Sequence, residues 1–150
     1  MLYIFDNVIS TIECQHWINK SPKIKKIPER YEMTNRCLNI NDEPVVEYVK
    51  NYLENKTNIK LDILGAELMV WPEECVSPLH VHDRGLRMQS KYNSILYLNN
   101  NFEGGEFITD SITVNPIPGR LTLFDGSLTK HGLNKVTKGH RYTILFWWKR

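Results

Sequence analysis

The sequence predicts a mainly β member of the α+β class, a double-stranded β-helix (jelly roll) with two N-terminal helices packed on one sheet. From about residue 60 onward, apolar and polar residues alternate, and Gly, Pro and Asn separate the alternating segments. Helical spacing is confined to the region before it. Eight short strands are expected: LDILGAELMVW, SPLHVHD, YNSILYLN, GEFIT, ITVN, RLTLF, HGLNKV and RYTILFWW. Helices on one sheet leave the other free to surround a ligand.

The length of 150 residues is typical of one domain, and 41% hydrophobic with 24% charged residues is ordinary for a globular protein. We therefore expect a single domain over residues 1–150. Within it, a helical part should cover residues 1–59 and the β-helix core residues 60–150.

Two helices are expected in the N-terminal part. Ser10 and Glu13 have the spacing of a capping box, which predicts a helix that continues to about Lys20. A second helix should begin at Pro44, since proline favours the first helical turn, and continue to about Leu53 with apolar residues at helical spacing.

Charge and cysteine usage restrict the partners and the compartment. The net charge of +2 is too small to indicate nucleic acid or a membrane surface, so a peptide or small molecule is the expected partner. No apolar run is long enough to span a bilayer, and the N-terminus lacks the features of a signal peptide. Cys14, Cys37 and Cys75 are odd in number and form no CxxC pair, which indicates reduced thiols and a cytoplasmic location.

Three histidines are candidate metal ligands. His80 and His82 lie two residues apart in a predicted strand, so both side chains project from one face. Two such imidazoles can bind one transition metal if a distant strand supplies a third ligand, for which His131 is the candidate. Paired histidines also occur on strands as surface or hydrogen-bonded core residues, and the spacing alone leaves both interpretations open.

Arg141 follows His131 at the start of RYTILFWW, a strand whose remainder is strongly apolar. A buried arginine requires an anion, and its guanidinium group pairs bidentately with carboxylates. Near a metal it would suit the far carboxylate of a dicarboxylate cosubstrate. The alternative is a solvent-exposed position at the start of the strand.

The stretch from Trp71 to Trp148 resembles the iron(II)- and 2-oxoglutarate-dependent oxygenases, particularly their prolyl 4-hydroxylase-like branch. The resemblance is carried, in order, by YNSILYLNNNFEGGEFIT (92–109), PGRLTLF (118–124) and HGLNKVTKGHRYTILFWW (131–148). It implies a dioxygenase with iron(II), 2-oxoglutarate and dioxygen as cofactors, and with ascorbate as a further candidate. Such an enzyme hydroxylates its substrate and releases succinate and carbon dioxide.

The resemblance also implies roles for single residues. His131 corresponds to the distal iron-binding histidine, and His80 falls where the first one is expected. Arg141 corresponds to the anchor of the C5 carboxylate of 2-oxoglutarate, and Tyr97 to a hydroxyl donor to the same carboxylate. A peptidyl proline is the first substrate implied by the branch, and nucleic acid bases and small metabolites are the alternatives.

The chain departs from the family at its His-x-Asp motif, because His82 stands two positions after His80 and the carboxylate follows at Asp83. Strand period favours His82 and therefore a site of three histidines. A β-bulge after His80 would instead turn Asp83 toward the metal. A site that binds iron weakly or not at all is the third alternative.

A different functional class is also consistent with three histidines on a barrel. A cupin-like binding protein or metalloenzyme would hold zinc or iron and would not use 2-oxoglutarate. Arg141 discriminates between the classes, since only the oxygenase needs a carboxylate anchor.

A basic segment and two further histidines remain outside this candidate site. Arg84, Arg87 and Lys91 in the segment 84–91 could receive an acidic peptide or a phosphate backbone, or could form a solvated loop. His140 should face away from Arg141, because neighbours on a strand alternate, and His16 should lie in the first helix. We expect neither to bind the metal.

Overall fold

The computed structural model describes residues 1–23, 36–83 and 89–149, and these segments form a jelly roll with two helices. The helices are α1 (Thr11–Lys20) and α2 (Pro44–Thr57). The strands are β1 (Leu2–Phe5), β2 (Cys37–Asn39), β3 (Ile63–Trp71), β4 (Ser77–His80), β5 (Ser90–Tyr97), β6 (Glu103–Gly104), β7 (Phe107–Thr109), β8 (Thr113–Val114), β9 (Leu121–Asp125), β10 (His131–Leu133), β11 (Val136–Lys138) and β12 (Arg141–Lys149). The predicted fold class is confirmed.

The strands of the described segments pair antiparallel throughout. The larger sheet has the order β1-β9-β5-β12-β3-β2, and the smaller sheet has the order β4-β10-β7-β8. A short pair, β6 with β11, stands beside them. The two sheets therefore face each other, and residues of both line the cavity between them.

Both helices begin where the sequence predicts. The Ser10 hydroxyl accepts a hydrogen bond from the backbone N–H of Glu13 at 3.1 Å, which caps the first turn of α1. Helix α2 begins at Pro44 but continues to Thr57 instead of ending near Leu53. It ends there because Asn58 adopts the left-handed conformation, with φ of 60°, and its N–H bonds back into the last turn.

The first 59 residues contribute strands as well as helices. β1 pairs with β9 along one edge of the larger sheet, and β2 pairs with β3 along the other. β2 has three residues, too few for a periodic pattern to be recognised in the sequence. The N-terminal part is thus joined to the core by backbone hydrogen bonds in addition to side-chain packing.

Strand β12 separates the helical core from the cavity. Ile144, Phe146 and Trp148 are fully buried in the cluster that includes the helix side chains. Leu145 and Trp147 project from the opposite face and line the cavity. Trp148 therefore belongs to the core, and its indole N–H donates to the Ser94 hydroxyl at 2.8 Å.

No helix in the described part of the chain has the length and apolar character that a membrane crossing requires. The three cysteines, all of which lie in described segments, form no disulfide.

An ion pair ties the end of β1 to the start of β9. Arg120 donates from Nε to Asp6 Oδ1 at 2.7 Å and from Nη2 to Oδ2 at 3.1 Å. This bidentate contact lowers the pKa of the Asp6 carboxyl below its usual value, against a smaller opposing effect of burial. A carboxyl group with a lowered pKa in the folded state stabilises the fold above its unfolded pKa.

We expect Asp6→Asn to lower the free energy of unfolding at pH 7 by about 0.5 kcal/mol, the scale of an exposed ion pair. The difference from the parent protein should shrink as the pH falls below about 4, because protonation of Asp6 then removes the same interaction. Urea denaturation at several pH values measures it. Asp110→Asn, an exposed carboxylate outside the ion pairs of the described residues, is the control, and an equal effect there would contradict the assignment.

Candidate active site

Three histidine side chains meet on the cavity side of the smaller sheet. His80 ends β4 and is the direct cross-strand partner of His131, the first residue of β10. The ring centroids of His80 and His82 are 5.4 Å apart, and those of His131 lie 4.6 and 4.8 Å from them. One nitrogen from each ring lies within 4.8 Å of the other two.

Backbone carbonyl groups orient two of the rings. His80 Nδ1 lies 2.8 Å from the carbonyl oxygen of Pro78, and His131 Nδ1 lies 2.7 Å from that of Thr129. A carbonyl oxygen only accepts, so each Nδ1 must carry the proton. The lone pair of each ring is therefore on Nε2, the state in which a histidine binds metal.

His82 joins the cluster although it lies beyond the end of β4. Its backbone N–H donates to the carbonyl oxygen of Gly126 at 2.8 Å, which holds this part of the chain against the turn after β9. The His82 side chain is buried, whereas Asp83 is exposed and stands outside the cluster. Of the two arrangements that the sequence leaves open, the geometry corresponds to the one with three histidines.

The donor set fits a transition-metal ion. Metal–nitrogen bonds of about 2.1 Å allow ligand nitrogens to stand up to about 4.2 Å apart, so the rings need only a small inward rotation. Three neutral imidazoles suit iron, zinc or copper better than magnesium or calcium, which prefer oxygen. Three protein ligands also leave coordination positions for other molecules.

The cluster opens into a cavity of about 110 Å³ between the two sheets. Its walls are mainly apolar and aromatic and include Phe107, Phe124, Leu145 and Trp147. Arg141 lines the same cavity. A cationic group and a metal-binding cluster thus face one largely apolar space, in which electrostatic attraction is stronger than in water.

Arg141 is buried, with 1% of its surface exposed, so the alternative of a solvent-exposed strand start is wrong. Its guanidinium carbon lies 5.2 Å from the ring centre of Tyr97 and 5.7 Å from that of Trp71. Room for its side chain depends on Gly105, where an added Cβ would approach Arg141 Cδ to 3.2 Å. The aromatic faces stabilise the buried cation.

Tyr97 lies beside Arg141, as a shared carboxylate site would require. Burial raises the pKa of its phenol, and the charge and hydrogen bonding of Arg141 act in the opposite direction. The hydroxyl therefore stays protonated and able to donate at neutral pH.

The sequence reasoning missed Thr143, two residues after Arg141 and on the same face of β12. Its hydroxyl is buried and makes no hydrogen bond to any described residue. Thr143 is the cross-strand partner of Tyr97, whose ring lies against the guanidinium group of Arg141. The strand period that placed Arg141 would also have identified this neighbour.

The remaining predicted residues lie elsewhere. The His140 ring stacks on Tyr142, on the face opposite Arg141, and His16 packs against Trp17 in α1. Neither belongs to the cluster of His80, His82 and His131. Arg84 and Arg87 lie outside the described residues, and the Lys91 ammonium group sits 5.0 Å from the centre of the Tyr92 ring.

Comparisons with known sequences find a local similarity. No protein-family model matches the chain. Human prolyl 3-hydroxylase 2 is 39% identical over 64 residues, and prolyl 3-hydroxylase 1 of Gallus gallus is 44% identical over the same length. Each match covers 37% of this chain and only 9% of the relative, so the chain spans less than a tenth of the length of these proteins.

Comparisons with solved structures cover 99% of the chain. The viral collagen prolyl hydroxylase of Paramecium Bursaria Chlorella virus-1, solved with 2-oxoglutarate, matches with a TM-score of 0.74, 16% identity and 94% of its own length. A prolyl-4-hydroxylase of Pseudomonas putida matches with a TM-score of 0.68, 13% identity and 92% coverage. A prolyl hydroxylase of Trichoplax adhaerens, in complex with a hypoxia inducible factor peptide fragment, matches with a TM-score of 0.70, 16% identity and 82% coverage. The chain therefore has the fold of the prolyl 4-hydroxylase-like 2-oxoglutarate and iron(II) oxygenases.

Proposed function

We propose that this protein is an iron(II)- and 2-oxoglutarate-dependent dioxygenase that hydroxylates its substrate and releases succinate and carbon dioxide. The observation that carries the proposal is that the histidine cluster and the buried Arg141 line one cavity. A metal-binding cluster alone would be compatible with several enzyme classes. A buried guanidinium group facing the same space can bind the carboxylate of an anionic cosubstrate.

His80, His82 and His131 are the proposed iron ligands, each through Nε2. The carbonyl groups of Pro78 and Thr129 orient two of these rings, so little side-chain freedom is lost when the ion binds. When bound, iron supplies the chemistry that activates dioxygen. The protein supplies the open coordination positions and the apolar walls that exclude water.

Arg141 is proposed to bind the far carboxylate of 2-oxoglutarate through two parallel N–H···O hydrogen bonds. The hydroxyl groups of Tyr97 and Thr143 are proposed to donate to the same carboxylate. Because the guanidinium group is held between aromatic rings, the cosubstrate meets a preorganised site whose contacts are strengthened by the exclusion of water. Its other end is then directed along the cavity toward the histidines.

A peptidyl proline is the proposed substrate. The local similarity to prolyl 3-hydroxylases and the shared fold of several prolyl hydroxylases support this choice. The half-buried Trp147 in the cavity wall offers an aromatic face on which an apolar pyrrolidine ring can pack.

A second candidate, a cupin-like metalloenzyme that does not use 2-oxoglutarate, is favoured by the exposed position of Asp83 outside the cluster. Three neutral ligands occur in zinc sites and in iron sites of other chemistry. This candidate leaves the burial of Arg141 in the cavity without a function. The two classes are separated by the binding of 2-oxoglutarate.

We further propose that the chain acts as one domain in the cytoplasm. Support for one domain comes from β1 and β2, which extend the same sheet as β3, β5, β9 and β12. The three cysteines, which form no disulfide with one another, are consistent with a reducing compartment.

The choice of third ligand is tested by titration with cobalt(II), an air-stable spectroscopic substitute for iron(II). We expect His82→Ala to weaken binding at least tenfold, because it removes one of three nitrogens, and Asp83→Ala to bind as the parent does. His140→Ala is the matched control, since that ring lies outside the cluster. Loss of binding in Asp83→Ala with retention in His82→Ala would show that the chain rearranges to present the carboxylate.

The cosubstrate site is tested by anaerobic addition of 2-oxoglutarate to the iron(II)-loaded protein, with the weak visible charge-transfer band of the chelate as readout. We expect the parent to show the band and Arg141→Ala to require at least 100-fold more 2-oxoglutarate, the scale of losing a charge-assisted bidentate contact of about 3 kcal/mol. Lys60→Ala, which removes an ammonium group on a side chain that is 90% exposed, should titrate as the parent does. Iron binding without a band in the parent would reject the oxygenase and favour the cupin-like alternative.

The substrate is tested by measuring succinate release in the presence of proline-rich, collagen-like peptides. We expect such a peptide to increase succinate release severalfold over the uncoupled rate and to gain one oxygen atom, as detected by mass spectrometry. The same peptide with alanine in place of proline is the control. Equal stimulation by both peptides, without oxygen incorporation, would exclude peptidyl proline.

A further inference from the structure

We propose that Asn93 is a positioning residue for the metal site, with its side-chain oxygen accepting a hydrogen bond from the Nδ1–H of His82. The interaction would keep Nε2 of His82 directed at the ion. This inference rests on the metal site of the proposed function and adds a residue outside the histidine cluster.

Asn93 is placed for this role by β5. It is 5% exposed, lines the cavity, and is the cross-strand partner of Trp147 and of Phe124. The hydroxyl of Ser90, which is fully buried, lies 3.3 Å from Asn93 Oδ1 and 3.1 Å from the carbonyl oxygen of Tyr92, so its one proton is shared between two acceptors. The Asn93 oxygen can therefore accept a further hydrogen bond.

Gly126 brings His82 and Asn93 together. Its N–H donates to the carbonyl oxygen of Lys91 in β5 at 3.0 Å, and its own carbonyl oxygen accepts from the N–H of His82 at 2.8 Å. A Cβ on Gly126 would stand 2.8 Å from His82 Nδ1 and would overlap Asn93 Oδ1. The two atoms thus converge on the space that the glycine leaves open.

In the other two histidines of the cluster, an oxygen acceptor at Nδ1 fixes the orientation of the ring. His80 and His131 each bond through Nδ1 to the carbonyl oxygen two residues before them, Pro78 and Thr129 respectively. For His82, both Nδ1 and the side-chain oxygen of Asn93 border the space beside Gly126, and a small rotation of the ring on metal binding would complete the proposed hydrogen bond. All three rings would then share one tautomer, with the proton on Nδ1 and the lone pair on Nε2.

The proposed role is tied to the departure of this chain from the His-x-Asp motif. A histidine ligand has a second ring nitrogen that needs an oriented acceptor, and removal of such an acceptor typically weakens metal binding 10- to 100-fold. An aspartate in place of His82 would have no Nδ1–H to orient. The effect of Asn93 should therefore depend on whether position 82 is histidine.

The first experiment is titration of the full chain with cobalt(II), without 2-oxoglutarate. We expect Asn93→Ala to bind about 10- to 100-fold more weakly than the parent. Asn93→Asp should bind at least as tightly as the parent, because it keeps the acceptor oxygen and adds charge. The matched control is Asn51→Ala, which removes an exposed amide on α2 that bonds only to Glu47 among the described residues.

The second experiment repeats Asn93→Ala in a His82→Asp background, where we expect the loss of affinity to be under threefold. A readout independent of affinity is the Nδ1–H resonance of His82 in the zinc(II)-loaded protein by NMR, which should exchange faster with solvent in Asn93→Ala. Thermal unfolding of each metal-free variant checks that it is folded. If Asn93→Ala does not fold, the Asn93→Asp titration decides.

Parent-like affinity in Asn93→Ala, an equal loss in both backgrounds, or a loss of more than tenfold in Asn93→Asp would each overturn the role of Asn93. None of these results would contradict the proposal that the three histidines bind the metal. Failure of the parent itself to bind cobalt(II) would instead reject the metal site of the proposed function, so the two failures are distinguishable.

Discussion

The antiparallel pairing of β4 with β10 is the interaction on which the rest of the site depends. It places His131 directly opposite His80, although the two residues are far apart in sequence. Because side chains alternate along a strand, a shift of one residue in this register would turn His131 away from the cavity. β10 is also paired with β7 on its other side, so its register is determined from two directions.

The larger sheet supplies a second constraint by separating two environments. One face of β12 packs on the helices through Ile144, Phe146 and Trp148, and the other presents Arg141, Leu145 and Trp147 to the cavity. Burial of the guanidinium group is unfavourable unless other groups compensate, and Tyr97 and Trp71 provide part of that compensation. Because successive side chains of β12 point to opposite faces, the same strand contributes to the core on one side and to the proposed ligand site on the other.

The electrostatic character of the site follows from its ligands. A cluster of neutral imidazoles leaves the charge of a divalent ion unreduced, whereas a carboxylate ligand would cancel part of it. With Arg141 on the same cavity, the site presents two positive centres to a ligand. A dianionic cosubstrate such as 2-oxoglutarate complements both, and this agreement links the unusual third histidine to the proposed function.

The sequence by itself determined the features that depend on local periodicity. Alternation predicted the β region, the Ser10 cap predicted the start of α1, and strand period placed Arg141 and His140 on opposite faces. Strand period also predicted that His80 and His82 project from one face. The family resemblance identified His131 as their distant partner. These predictions needed only the spacing of residues within a segment or the order of motifs.

Only the tertiary structure decided the features that depend on contacts between segments. His82 lies beyond the last residue of β4, and its place in the cluster is set by a hydrogen bond to Gly126, which no pattern around His82 reveals. The proximity of Asn93 to that ring and of Thr143 to Tyr97 arises from cross-strand register. Side-chain periodicity is a property of one strand, whereas register and turn geometry are set by hydrogen bonds between strands, so the sequence could indicate the ligands but not their final arrangement.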